Sequence, residues 1–193
     1  MLRSSAVALT AASLLLLTAC GSSDTPASSA GAGSATSRAA ATTAAAAEPT
    51  GCAPATAAAP AGVPALTGNP TDTTTQAVIS AGTGTAPAAL VTQDVVTCTG
   101  TAATAAATVA VRYTGALYTD GTVFDASWKS GNAPVSFPLS KVVPGFAQGI
   151  VGMHLGDRRV IVIPPALGYG ARTSGPIPGG STLVFVVDLV GIS

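Results

Sequence analysis

The stretch VVPGFAQGIVGMHLGDRRVIVIPPALGYG, residues 142–170, decides the fold because a helical pattern in it is followed at once by a strand pattern. Phe146, Ile150 and Met153 recur at i, i+4 and i+7, which is the spacing of one apolar helix face. This spacing predicts a helix over 144–154. The β-branched run that follows predicts a strand rather than more helix.

Short β-branched runs bounded by Gly, Pro and Asp continue this texture on both sides. They predict five strands, over 90–98, 108–114, 135–139, 159–163 and 182–192. Thr119-Asp120-Gly121-Thr122 predicts a hairpin turn, since Asp and Gly tolerate positive φ. The predicted fold class is therefore α+β, an antiparallel β-sheet wrapped around one short α-helix, with a disordered N-terminal tether.

Composition places the hydrophobic core in the C-terminal half and excludes one class of partner. The one Trp, three Tyr and four Phe all lie after residue 112, and aromatic side chains supply much of the apolar area that a small core needs. The net charge is zero and 8% of residues are charged, so the chain lacks the basic footprint of a nucleic-acid-binding protein. No long heptad or apolar stripe argues for a dimer, so a monomer is expected.

Six blocks of the C-terminal half resemble, in order and with compatible spacing, the signature of the FKBP-type peptidyl-prolyl cis/trans isomerases. These blocks are VRYTG (111–115), DGTVFDAS (120–127), VVPGF (142–146), GMHLGDRR (152–159), IPPALGYG (163–170) and TLVF (182–185). The resemblance implies an isomerase domain over 86–193 that acts on Xaa-Pro segments of polypeptides and needs no cofactor or metal. It also implies macrolide inhibitors as possible ligands.

Site residues follow from the resemblance position by position. The implied catalytic residues are Tyr113, Phe124, Asp125, Val143 and Tyr169, and the implied substrate-binding residues are Phe137, Val142, Phe146 and Phe185. In the family, the carbonyl of the residue before proline is held by the backbone N–H at the Val143 position and by the hydroxyl at the Tyr169 position. The residue at the Phe146 position forms the floor under the proline ring.

Three departures from the family pattern bear on substrate preference. Phe146 stands where the family usually has Trp, and Val135 where it commonly has an aromatic residue. The loop 128–132 differs in length and lacks the basic residue that the family frequently has beside Asp125. The departures at Phe146 and Val135 motivate an alternative function, a non-catalytic binding module that holds a Pro-containing partner of the cell envelope.

An apolar pocket is the right chemistry for this reaction. Resonance gives the Xaa-Pro amide a rotation barrier of about 18–20 kcal/mol, and the twisted transition state has lost that resonance and carries less charge separation. An apolar site that excludes water therefore favours the twisted state over the planar one. Neither a nucleophile nor a metal ion is required.

The N-terminal half indicates export. Residues 1–19 have one Arg and then an apolar run of the length typical of a signal peptide, and Leu17-Thr18-Ala19-Cys20-Gly21 resembles the lipobox of bacterial lipoproteins. Lipidation of Cys20 would attach the protein to the outer face of the bacterial cytoplasmic membrane by its lipid anchor only. An ordinary secretory signal that leaves Cys20 as a free thiol is the alternative.

Between the signal and the domain lie two further segments. Residues 20–61 are nearly all Ala, Ser, Thr, Gly and Pro, which predicts a disordered tether. Residues 62–85 contain scattered Val, Ile and Leu, which favour an extension that lies along the domain over one that swings free, and no secondary structure is predicted for it.

Cys52 and Cys98 remain as an even pair in an exported chain, which predicts a disulfide between them. A redox function for this pair is disfavoured, because the chain has no C-x-x-C motif and no basic residue adjoins either cysteine. A metal site is not expected, since two Cys and the single His have no ligand spacing. His154 and the pair Arg158-Arg159 are predicted to be solvated.

Overall fold

The β-branched runs form strands in a computed structural model that describes residues 49–193. The predicted signal segment 1–19, Cys20 and residues 20–48 of the predicted tether lie outside the described residues. The strands are β1 (Thr50–Pro54), β2 (Leu66–Thr67), β3 (Val78–Ile79), β4 (Val91–Thr99), β5 (Thr108–Leu117), β6 (Val123–Ala126), β7 (Val135–Pro138), β8 (Arg158–Ile163) and β9 (Leu183–Ile192).

Seven of these strands form one antiparallel sheet in the order β1-β4-β8-β9-β5-β6, with β7 also paired to β5. β2 and β3 form a separate two-stranded antiparallel sheet. All five predicted strands are present, and their ends lie within three residues of the predicted ends. The predicted Asp-Gly turn connects β5 to β6. The predicted fold class, an antiparallel sheet with one short α-helix, is confirmed.

Helix α1 (Pro144–Ile150) is shorter than the predicted 144–154. Gly152 has a φ of +86°, a left-handed conformation that ends a helix and that L side chains rarely adopt. Met153 is nevertheless fully buried, as its spacing predicts. Gly145 and Gly149 allow the helix to lie close to the sheet, because a Cβ at either position would collide with an isoleucine of β8.

The opposite face of the sheet is covered by the predicted extension 62–85. Val63, Leu66 and Ala77 pack with the buried Ile79 against the β8 and β9 side chains on this face. Tyr118 lies under the end of the extension, where its hydroxyl donates to Thr83 O at 3.1 Å. The extension is therefore part of the folded domain, and the sheet is buried on both faces.

Arg158 ties this extension to the sheet and corrects the prediction that it is solvated. Its side chain is 1% exposed, and its guanidinium forms a bidentate ion pair with Asp188 at 2.5 and 2.7 Å. The same guanidinium donates to Pro70 O at 3.0 Å and to Thr75 O at 3.2 Å. The prediction fails for Arg159 as well, because that side chain is largely buried and pairs with Asp94 at 2.6 Å.

Strand β1 corrects the prediction of a disordered tether for residues 50–54, which lie near the end of the predicted segment 20–61. β1 pairs with the edge strand β4, and Cys52 is bonded to Cys98 of β4, which is the predicted disulfide. Every residue of β1 is exposed, so burial does not hold it in place. The cross-link and the backbone ladder do so, and composition reveals neither of them.

No helix within 49–193 has the length and apolar character needed to cross a membrane.

Candidate active site

A cavity of about 550 Å³ opens on the helix side of the sheet. Strands β5, β6, β7 and β9, the start of α1 and the loop after β8 all contribute to its wall. All nine residues predicted for the site line it, namely Tyr113, Phe124, Asp125, Phe137, Val142, Val143, Phe146, Tyr169 and Phe185. Residues that are up to 72 positions apart, from Tyr113 to Phe185, thus meet around one space.

Five aromatic rings, with Phe146 and Phe185 at their centre, build the apolar wall. The Phe146 and Phe185 ring centroids are 5.0 Å apart with an interplanar angle of 71°. Phe185 in turn meets Phe124 at 5.5 Å and 81°, and Tyr113 and Phe137 each approach Phe146 edge-on. Edge-to-face pairs of this kind each contribute on the order of 0.5–1.5 kcal/mol beyond area burial, so the contacts between the rings stabilise the wall.

Gly115 explains why two of these rings can meet above β5. A Cβ at this position would lie 2.8 Å from the rings of both Phe124 and Phe185, closer than real Cβ contacts come. Any larger residue in β5 would push the rings apart. The glycine in the VRYTG block therefore shapes the cavity, although it does not line it.

A polar edge is formed by Tyr113 and Asp125. The Tyr113 hydroxyl donates to Asp125 Oδ2 at 2.5 Å, and the Ala126 N–H donates to Asp125 Oδ1 at 2.9 Å. Burial, and then the hydrogen bond to Asp125 and its negative charge, raise the pKa of Tyr113. The phenol is thus held in its protonated, donating form.

Lys129 corrects the prediction that the loop 128–132 lacks a basic residue beside Asp125. Lys129 Nζ lies 3.6 Å from Asp125 Oδ1 and donates to Phe124 O at 3.2 Å. The sequence alone did not show this proximity, because Lys129 follows Asp125 by four residues and meets it only through the fold of the loop.

Two groups at the cavity are available to bind a carbonyl oxygen. Within residues 49–193, neither the backbone N–H of Val143 nor the hydroxyl of Tyr169 donates to a protein acceptor. Val143 immediately precedes α1, where backbone N–H groups have no acceptor within the helix. Tyr169 is 39% exposed at the cavity wall. Both groups can therefore donate a hydrogen bond to a ligand without first breaking a bond to the protein.

Comparison with known proteins now gives this site a family. Residues 99–190 match the family profile described as FKBP-type peptidyl-prolyl cis-trans isomerase. An FK506-binding protein of Streptomyces anulatus is 42% identical over 113 residues, which cover 56% of this chain and 90% of that protein. The chain belongs to the FKBP-type peptidyl-prolyl cis-trans isomerase family.

Solved FKBP structures agree with the fold described above. AtFKBP13 is 32% identical with a TM-score of 0.51, over 55% of this chain and 95% of that one. FkpA from Escherichia coli is 41% identical with a TM-score of 0.51, over 54% of this chain and 48% of that one. Among sequences, FK506-binding protein 2 of Aspergillus oryzae is 46% identical over 44% of this chain. The chain spans 44–64% of the length of the fungal relatives it matches.

Sequence reasoning missed one part of the FKBP cavity wall. Lys141 and the loop Ser174–Ile177 also line the cavity. Ser174 and Ile177 exchange two backbone hydrogen bonds of 2.9 and 3.0 Å, which close Gly175-Pro176 into a tight turn with Gly175 at a φ of +55°. A Gly-Pro pair signals such a turn in the sequence, but nothing local says that the turn faces the cavity.

The two single-residue departures from the FKBP pattern differ in their consequence. Phe146 is 5% exposed and lies among the rings, so the loss of the larger indole changes the cavity floor itself. Val135 is 36% exposed in β7 and does not line the cavity. Only the departure at Phe146 bears directly on what the cavity can hold. Within 49–193, no group of three or more His, Cys, Asp or Glu side chains could hold a metal ion.

Proposed function

We propose that this chain is a peptidyl-prolyl cis/trans isomerase that assists the folding of exported proteins. The observation that carries the proposal is the single cavity lined by all nine residues that the FKBP pattern assigns to the site. Six aromatic residues line it, and the Tyr113 hydroxyl and the Asp125 carboxylate stand at its polar edge. This is the arrangement that an uncharged, twisted amide requires.

The proposed mechanism uses binding and desolvation alone. The proline ring of the substrate packs on Phe146 and against Phe185, which removes water from the amide. The Val143 N–H and the Tyr169 hydroxyl, which are free of protein acceptors within 49–193, hold the carbonyl before proline while the C–N bond twists. Each 1.36 kcal/mol of preference for the twisted state is worth about tenfold in rate, so a few such contacts suffice.

Asp125 acts at the edge of the site as a fixed negative charge and not as a base. The Tyr113 hydroxyl, the Ala126 N–H and the nearby Lys129 ammonium fix the position of its carboxylate. Isomerisation moves no proton, and the role of this edge is therefore to orient the substrate backbone as it twists.

We propose in addition that the protein is exported and anchored by lipid at Cys20, on the outer face of the cytoplasmic membrane. The lipobox-like sequence supports this location, and so does the Cys52 to Cys98 disulfide, because structural disulfides persist in oxidising compartments. Metabolic labelling with an alkyne fatty acid should label the protein in the membrane fraction. Cys20→Ser should abolish the label, and a Cys20→Ser protein that is still labelled would refute the anchor.

The activity is tested by NMR exchange on an Xaa-Pro peptide with the purified protein and three variants. Tyr169→Phe and Phe124→Ala should each lower kcat/KM by roughly tenfold or more. Tyr118→Phe is the matched control, because it removes a hydroxyl that bonds Thr83 O on the opposite face of the sheet. The control should retain the rate of the unmodified protein.

A second candidate function, a non-catalytic module that binds a Pro-containing envelope partner, is favoured by the smaller cavity floor at Phe146. The same spectra separate the two functions. A folded protein whose resonances shift on peptide addition without faster exchange is a binding module, and the isomerase proposal is then wrong.

Relatives carry the name FK506-binding protein, and we propose that the macrolide enters this same cavity and abolishes the catalysed peptide exchange.

A further inference from the structure

Among the described residues of the cavity wall, Lys141 is the one charged residue that forms no ion pair. It ends the short 3-10 helix Leu139–Lys141, in which Leu139 is 2% exposed and anchors the turn in the core. Lys141 itself is exposed and lines the cavity beside Val142 and Val143. The side chain of Lys141 is therefore open to solvent at the cavity wall, two residues before Val143, whose N–H is proposed to hold the substrate carbonyl.

The charges around the cavity do not balance once the ion pairs are considered. Asp125 is the only acidic residue in the described wall, and Lys129 already lies 3.6 Å from its carboxylate. The Tyr113 hydroxyl and the Ala126 N–H satisfy the same carboxylate further. Within residues 49–193, Lys141 forms no ion pair. The cavity mouth consequently carries a net positive charge on the Lys141 side.

We infer that Lys141 is a specificity-determining residue that selects substrates with an acidic side chain within two positions of the proline. A substrate carboxylate at these positions could pair with the Lys141 ammonium group, which forms no ion pair with a described carboxylate of the protein, whereas a substrate lysine would be repelled. The inference rests on the proposed function, since it names the class of Xaa-Pro segment that this same cavity prefers. Ion pairs between exposed groups are weak, which limits the preference to roughly two- to fivefold for Glu over Gln.

The test compares peptides of one sequence that carry Glu, Gln or Lys either two positions before proline or directly after it. NMR exchange gives kcat/KM for each peptide, and resonance shifts in the same samples give its affinity. The unmodified protein should prefer Glu over Gln over Lys at one or both positions at low salt. The preference should shrink as salt is raised, because exposed charges are screened over about 10 Å at 0.1 M ionic strength.

Two variants and a matched control assign the preference to its residue. Lys141→Gln should bring the Glu-to-Gln ratio close to one, and Lys141→Glu should invert the order of the peptides. Arg172→Gln is the control, because it removes an equal charge from an exposed residue that does not line the cavity. It should leave the ratio unchanged.

The outcomes separate this inference from the proposed function. Acceleration of the Gln peptide without a preference for Glu, or with a preference that survives Lys141→Glu, overturns the inference and leaves the isomerase standing. If no peptide is accelerated, the proposed isomerase fails, and the affinities decide the role of Lys141 in a binding module. Equal affinities for Glu and Lys peptides would then overturn the inference as well.

Discussion

The two faces of the main sheet are covered in different ways, although β8 and β9 contribute side chains to both. Alternate residues of β8 and β9 point to opposite sides: Ile161, Ile163, Phe185 and Val187 face α1, and Val160, Val162, Val184 and Val186 face the extension 62–85. The helix face is closed by large rings that leave a cavity. The extension face is closed by small aliphatic side chains and one buried ion pair, Arg158 with Asp188.

The difference separates the face that holds the candidate site from the face that is covered by a segment outside the matched family region. The FKBP profile match begins at residue 99, so the cover of the second face precedes the matched region. That cover has few large side chains, and it relies on directed polar bonds from Arg158 to the backbone of Pro70 and Thr75. Changes on this face should therefore alter stability, whereas changes on the helix face should alter activity.

The largest expected effect is on the extension face. Arg158→Met leaves the Asp188 carboxylate buried without its partner and removes two bonds to the extension, which should lower the free energy of unfolding by about 3–5 kcal/mol. Urea denaturation measures this loss. Arg159→Met is the control, because its partner Asp94 is 37% exposed and the pair contributes much less.

A second variant tests whether the buried ion pair or the packing of this region is responsible. The double change Arg158→Met with Asp188→Leu removes both charges and should recover part of the loss. If the single variant Arg158→Met unfolds at the urea concentration of the unmodified protein, the ion pair does not hold the extension, and the contrast between the two faces is wrong.

A smaller loss of stability is expected from the cross-link at the sheet edge. Replacing Cys52 and Cys98 by Ala opens a loop with a sequence separation of 46, which costs roughly 2–4 kcal/mol when the unfolded chain gains that freedom. The cavity is remote from β1 in the sheet order, so peptide isomerisation by the folded variant should be unchanged. An unaltered urea midpoint would mean that β1 is held by its ladder alone.

The contrast between the faces also explains what could be predicted from the sequence. The helix spacing of Phe146, Ile150 and Met153 and the β-branched runs are local signals, so α1 and the five strands are predictable. The cavity residues were assigned through the FKBP resemblance, which supplies positions that no local pattern links. Gly152 marks the end of the helix, but a single glycine in a helical pattern gives no firm boundary before the structure is known.

The extension face was harder to predict because its contacts join distant residues of unremarkable type. Arg158 and Asp188 are opposite each other only through the register of β8 with β9, and adjacent arginines indicate a solvated turn when they are considered alone. β1 consists of residues that also suit a tether, and only its pairing with β4 makes it a strand. Lys141 was missed for a related reason: a lysine in the sequence predicts an exposed position, but it does not show that this position lies at the cavity.

On the helix face, a larger side chain at the cavity floor should alter activity. Phe146→Trp restores the larger ring that the family usually has at this position, and it should raise kcat/KM for an Xaa-Pro peptide by roughly two- to tenfold. The physical reason is a greater apolar area under the proline ring. Leu139→Met is a control that changes core shape away from the cavity wall, since Leu139 is buried but does not line it. A folded Phe146→Trp protein with an unchanged or lower rate would show that the area of the cavity floor does not limit the proposed isomerisation.

The smallest expected effect is the pH dependence that arises from Tyr113, whose pKa is raised by burial and by Asp125. An unfolded tyrosine titrates near pH 10, so the folded protein holds this proton more tightly than the unfolded chain does. The stabilising contribution of the Tyr113 hydroxyl is therefore present in full below about pH 10 and is lost as pH rises through the folded pKa. The difference in urea midpoint between the unmodified protein and Tyr113→Phe should be constant from pH 7 to 9 and shrink above about pH 10. A difference that already shrinks between pH 7 and 9 would mean that the phenol loses its proton early, and that the polar edge of the cavity does not hold it as the geometry indicates.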